Sequence, residues 1–236
     1  MTPFDGPEED GSPGNVVQLE MAPKILEFHA TESSLLTTKL LHAKRHDGRP
    51  AFNFMDLKLL WMYLIDFEDE QNLRHLLRNA GLLEKLCLSV DSRSLVGLHD
   101  NISESPSAPT LKVLELSANL YSSGLPLAGI CEELEAMAGH YTLEALSIEV
   151  IVDDDDATED SVGSIFQKVG NVLVKPGWSS LRRVSFEILL NPDCNLYEAL
   201  QSLPDKYLSH LLKLESVTFN YSAYNVVYDP TSSLFL

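Results

Sequence analysis

Apolar residues recur along this chain as Leu-x-x-Leu-x-Leu, most clearly in LKVLELSANL at residues 111–120. With apolar substitutes allowed, the template returns at Leu57/Leu60/Met62, Leu83/Leu86/Leu88, Leu111/Leu114/Leu116, Leu143/Leu146/Ile148, Leu181/Val184/Phe186 and Leu214/Val217/Phe219. A degenerate first copy reads Pro23/Leu26/Phe28. Successive first members are 34, 26, 28, 32, 38 and 33 residues apart, inside the range that marks stacked repeats. Within each copy the alternation predicts a short strand, with leucines on one side and the intervening residues on the other.

The segments between the copies carry a helical period instead. Ser33–His46 sets Leu36, Leu40 and Leu41 on one face, and Gln71–Ala80 does the same with Leu73, Leu76 and Leu77 before Gly81. Pro126–Ala138 and Thr158–Val174 follow the same rule, and Leu196–Leu212 is expected to split at Pro204. Asp91–Pro109, rich in Ser and Pro, is expected to be mostly loop. A strand–helix unit cannot bury its apolar face alone, so neighbours must stack. The predicted fold is therefore α/β, a leucine-rich-repeat-like solenoid (horseshoe) of divergent strand–helix units with a parallel sheet on the concave face. Residues 1–20 are expected to be a disordered acidic segment, 21–224 the repeat domain and 225–236 a tail without an evident capping unit. Asn119 stands where such repeats use an asparagine to hold the turn and has no counterpart in the other copies. The helices are thus expected to hold the array together.

Charge narrows the partners. Seventeen Lys and Arg stand against 35 Asp and Glu, a net −18. Such a chain repels phosphate backbones and anionic membranes, so no nucleic acid and no membrane is expected as a partner. MTPFDGPEED is unlike a secretory leader, and the longest apolar run, LLWMYLI, is too short for a bilayer. Cys87, Cys131 and Cys194 are few, odd and widely spaced. These features suggest an intracellular protein, cytoplasmic or nuclear, with reduced thiols.

No catalytic constellation emerges. The seven histidines and three cysteines make no nucleophile elbow, Cys-x-x-Cys or His-Glu-x-x-His. His42 and His46 share a helical spacing, but Lys44 and Arg45 between them repel a metal ion. The run VDDDDATED (152–160) lacks the glycine and spaced ligands of a calcium loop. It reads better as a helix start, with Thr158 as cap and Glu159 and Asp160 at the positive end. No cofactor, no metal and no enzymatic activity are expected. A hydrolase assembled from residues distant in sequence is the remote alternative.

The outward strand positions are the remaining candidates. The fifth position of successive copies reads Glu27, Trp61, Cys87, Glu115, Ser147, Ser185 and Thr218, and the seventh reads His29, Tyr63, Ser89, Ser117, Glu149, Glu187 and Asn220. The third adds Lys85 and Arg183. Trp61 and Tyr63 are aromatic anchors of the kind found at interfaces, unless a covering segment or the core takes Trp61. Glu115, Glu149 and Glu187 favour a basic partner. The candidate protein-binding residues are Trp61, Tyr63, Lys85, Glu115, Glu149, Arg183 and Glu187.

LLEKLCLSV (82–90), LKVLELSANLY (111–121), LPLAGICEELEAMAGHYTLEALSIEV (125–150), KPGWSSLRRVSFE (175–187) and LQSLPDKYLSHLLKLESVTFNYSAY (200–224) resemble the leucine-rich-repeat region of F-box-like proteins of mushroom-forming fungi. The resemblance covers about Lys39 to Tyr224. It implies a repeat domain that captures a substrate protein, joined in members with an F-box to a ubiquitin-ligase adaptor. The forty or so residues of an F-box are not recognisable before the repeats. The expectation is a non-enzymatic protein–protein interaction module, with a ubiquitin-ligase substrate receptor as the alternative.

Overall fold

The repeated inward leucines dictate one sheet edge after another. The computed structural model describes residues 22–31, 34–90, 97–120, 129–152, 158–191 and 195–225. The expectations for segment 1–20, Pro126, the aspartates 153–156, Cys194 and the tail from 226 lie outside the described residues. Seven strands, β1 (Glu27–Ala30), β2 (Leu59–Leu64), β3 (Lys85–Val90), β4 (Val113–Leu120), β5 (Ala145–Val152), β6 (Arg183–Leu190) and β7 (Thr218–Asn225), form one open sheet in chain order. Every neighbouring pair is parallel. Between them run α1 (Ser34–Leu41), α2 (Phe67–Asn79), α3 (Leu98–Ser103), α4 (Ile130–Met137) and α5 (Glu159–Leu173). The pair α6 (Tyr197–Gln201) and α7 (Leu203–Tyr207), split beside Pro204, precedes a short 3-10 turn at Leu211–Lys213.

Because strand order follows chain order without reversal, crossovers of one hand place the helices on a single side of the sheet. The helices pack in the same sequence, α1 on α2, α2 on α3, α3 on α4, α4 on α5 and α5 on α7. The core lies between these two layers. Leu60, Met62, Leu86, Leu114, Leu146 and Val184 are at most 1% exposed, and so are the first-position Leu57, Leu83, Leu111, Leu143 and Leu181. Each such side chain contributes about 1.5–3 kcal/mol of burial. Phe186 sits between Phe166 and Phe219, with ring centroids 4.8 and 5.5 Å away. The alternate residues of β2 and β5 are half-buried. They form the open face.

The five central copies pair in the predicted register: Leu59, Lys85, Val113, Ala145 and Arg183 occupy one row. The two terminal copies do not. Glu27 pairs with Leu59 and Thr218 with Arg183, so both outer strands are displaced by two residues from the predicted frame. A two-residue slip keeps every side chain on its own face, so alternation alone cannot detect it. His29 and Asn220, not Glu27 and Thr218, complete the fifth-position row.

Three local expectations change for stated reasons. α1 stops at Leu41 instead of His46 because residues 43–51 turn back as a hairpin, with Lys44 bridged to Pro50 and Gly48 at φ 81°. α2 begins at Phe67, four residues before Gln71, because Asp66 and Asp69 form a reciprocal capping box. In the stretch expected to be loop lies α3, followed by serines that act as a strap. Ser105 Oγ donates to the Leu77 carbonyl (2.7 Å) and Ser107 Oγ to that of Ala80 (2.5 Å). Ser107 Oγ also accepts from the Leu83 N–H at 3.0 Å. These buried serines satisfy carbonyls that the end of α2 leaves without helical partners. Thr158 caps α5 as expected, accepting from the Ser161 N–H at 3.2 Å. Asn119 lies inside β4, in register with Ile151, and not in a turn. Among the described residues, no helix is long and apolar enough to cross a membrane.

Candidate functional site

The outward positions of β2 to β6 converge on a depression of about 290 Å³ in the open face. Trp61, Glu115, Glu149 and Glu187 bring the functional groups, with Cys87, Ser117 and Ser147 between them, while Leu88 and Leu116 border it from strand positions whose side chains lie in the core. Strand pairing fixes their order. Trp61, Cys87, Glu115, Ser147 and Ser185 form the fifth-position row, and Tyr63, Ser89, Ser117, Glu149 and Glu187 the seventh. Strands are about 4.8 Å apart, so neighbours in a row are in contact range.

Four of the seven candidate residues, Trp61, Glu115, Glu149 and Glu187, line this one depression. Lys85 adjoins it through an ion pair with Glu115 at 2.8 Å. The Glu115 hydrogen bond holds the Lys85 ammonium above the usual lysine range. Tyr63 and Arg183 lie on the same face but outside the lining, with Tyr63 half-buried and Arg183 exposed. Trp61 is half-buried and belongs neither to the core nor to a fully exposed anchor. His29 stacks beside it, ring centroids 6.4 Å apart, a contact that the displaced register of β1 creates.

Glu115 serves a second neighbour. It accepts a hydrogen bond from Cys87 Sγ at 3.2 Å. Cys87 points to the open face yet is only 5% exposed, because Trp61 and Glu115 flank it in the row. Burial first, and the Glu115 bond next, push its thiol up to about 12. That makes it a poor nucleophile.

Glu149 and Glu187 are register partners on adjacent strands. Like charges placed directly side by side are destabilising. Ser117 Oγ donates to Glu149 at 2.6 Å, and the Tyr224 hydroxyl stands 3.5 Å from Glu187. Among the described residues, neither carboxylate has a cation within ion-pair distance. The Tyr224 phenol is held above its ordinary range by burial and then by the charges of Glu187 and Glu149. The negative field therefore extends to the β7 edge. Tyr224 was not a candidate: it lies four residues beyond Asn220, the predicted seventh position of the last copy, and pairs in register with Leu189.

The depression contains no histidine, and no group of three His, Cys, Asp or Glu able to hold a metal ion occurs among the described residues. Its chemistry is hydrogen-bond acceptance and cation attraction beside an aromatic edge. Comparison with protein-family models, with curated proteins and with solved structures finds no match for this chain.

Proposed function

We propose that the chain is a non-enzymatic binding module of the leucine-rich-repeat type, whose concave face takes a protein or peptide carrying basic residues. The observation that carries this reading is the side-by-side pair Glu149 and Glu187, with Glu115 and Trp61 around the same depression. A carboxylate pair with no cation beside it among the described residues costs stability, and a lysine or arginine from a partner removes that cost on binding. Trp61 supplies a rigid apolar edge for the same segment. Lys85, already paired with Glu115, sets one boundary of the negative patch.

Selection of a displayed random-peptide library on the full chain tests this reading. The recovered pool is expected to be enriched in Lys and Arg, and to disappear when the selection is repeated on Glu149→Lys/Glu187→Lys. A pool without basic enrichment, or one that the double variant binds equally well, overturns the reading.

A further inference from the structure

The open face also constrains the shape of its partner, an inference that rests on the reading proposed above. Trp61 stands on β2 in the fifth-position row, and Glu149 and Glu187 stand on β5 and β6 in the seventh. The apolar and acidic contacts therefore lie on different strands, and one segment reaching both must run across the sheet. Strands about 4.8 Å apart and residues about 3.3 Å apart put roughly 18 Å of backbone between Trp61 and the midpoint of the glutamate pair. Yet all three side chains line one depression of about 290 Å³. Their ends thus converge above the sheet.

The volume decides between a helical and an extended ligand. One turn of helix with its side chains, a cylinder about 10–12 Å across and about 5.4 Å long, occupies roughly 400–600 Å³. The depression is smaller than that, but it accepts side chains descending from an extended segment. In such a segment two side chains point the same way only at even separations. Two residues span about 7 Å, which is too short, and six span about 20 Å, beyond even the backbone distance. Four span about 13 Å, and the flexible arm of a basic side chain covers the rest.

The acidic end favours one cation over another. Ser117 Oγ donates to Glu149 from the β4 side at 2.6 Å, and the Tyr224 hydroxyl lies 3.5 Å from Glu187 on the β7 side. These hydroxyls hold the register pair from both flanks, and each carboxylate, with about four lone-pair positions, retains acceptor capacity. A guanidinium presents five N–H groups in a planar fork and can donate to both carboxylates at once, whereas an ammonium acts as a point charge. At the other end Trp61 is half-buried with His29 stacked beside it, and it offers an apolar edge to one large side chain.

We propose that the open face binds an extended segment running across the strands, with an arginine over Glu149 and Glu187 and a large apolar residue against Trp61, four positions apart.

Selection from a displayed library of short peptides tests this, with one central position fixed as Arg, the others randomised and the full chain as bait. The recovered pool is expected to gain Leu, Met or aromatic residues four positions from the Arg, on one side only. On Trp61→Ala that preference should vanish while Arg-dependent binding persists. Fluorescence polarisation of recovered peptides should show a loss of about tenfold when the apolar residue moves to three or five positions, and of about threefold or more when Lys replaces Arg. Circular dichroism confirms the fold of each variant, and the spacing read on the unmodified chain needs no variant. An apolar preference at another separation or at none, its survival on Trp61→Ala, or equal binding of the Lys peptides overturns this inference alone, provided the pool is lost on Glu149→Lys/Glu187→Lys. A pool that survives on that double variant overturns both this inference and the proposed function beneath it.

Discussion

Cys87 shows how a single residue can face outward and still be sealed. Trp61 and Glu115 flank it along the row, and Glu115 accepts its S–H. With the thiol raised to about 12 by burial and then by Glu115, only about one molecule in ten thousand carries the thiolate at pH 8. Alkylation of Cys87 by iodoacetamide in the native protein is therefore expected to be very slow and to keep rising with pH beyond 10. Glu115→Gln removes a group that raises the thiol and should accelerate the reaction. Peptide mass spectrometry of the Cys87-containing fragment reads the rate. A plateau near pH 9, or no change in the variant, contradicts this account of the row. Glu115 is thus shared between a lysine and a thiol, whereas among the described residues Glu149 and Glu187 are hydrogen-bonded by hydroxyls, those of Ser117 and Tyr224.

Elements are joined by features of unequal legibility. The five central copies could be placed in register from the sequence because each has Leu at its first position and strong apolar residues at the fourth and sixth, all buried. At the ends the apolar anchors weaken. Leu26 is 52% exposed, and Tyr221 fills the sixth position of β7 while its hydroxyl donates to the Leu200 carbonyl at 2.6 Å. Face was readable there and register was not, since a slip of two preserves the face. The candidate residues were legible for the same reason, all belonging to central copies, while the His29–Trp61 stack and Tyr224 depended on the terminal frames.

The second-position residues Lys58, Glu84, Lys112, Glu144 and Arg182 alternate in sign from copy to copy. Lys58 pairs with Glu84 (3.1 Å) and Lys112 with Glu144 (3.5 Å). Such exposed pairs add little stability and instead disfavour the wrong neighbour. The serine strap was unreadable because a buried hydrogen-bonding serine and a loop serine look alike in sequence. Ser107→Ala removes partners of both Ala80 and Leu83 and is expected to cost about 1–3 kcal/mol. Chemical denaturation measures this, and a loss below about 0.5 kcal/mol contradicts a structural strap.

At the scale of the whole molecule, the charge of −18 is not spread evenly. The open face gathers carboxylates around Trp61, while Lys44, Arg45 and Arg49 lie together on the hairpin 43–51. Salt should weaken a basic ligand at the open face, since partly exposed charges are screened over about 8–10 Å at 0.1–0.15 M.

The central claim is that the open face, and not the helical side, receives a basic partner. The most direct measurement is fluorescence polarisation of one labelled peptide recovered by display, titrated with the full chain and its variants. Glu149→Lys/Glu187→Lys is expected to lower affinity by at least about tenfold, as loss and reversal of charge contacts require, while Lys44→Glu/Arg49→Glu leaves it within about twofold apart from a general field effect. Affinity unchanged by the open-face reversal, or lost on reversal of Lys44 and Arg49 in the hairpin 43–51, would contradict the account.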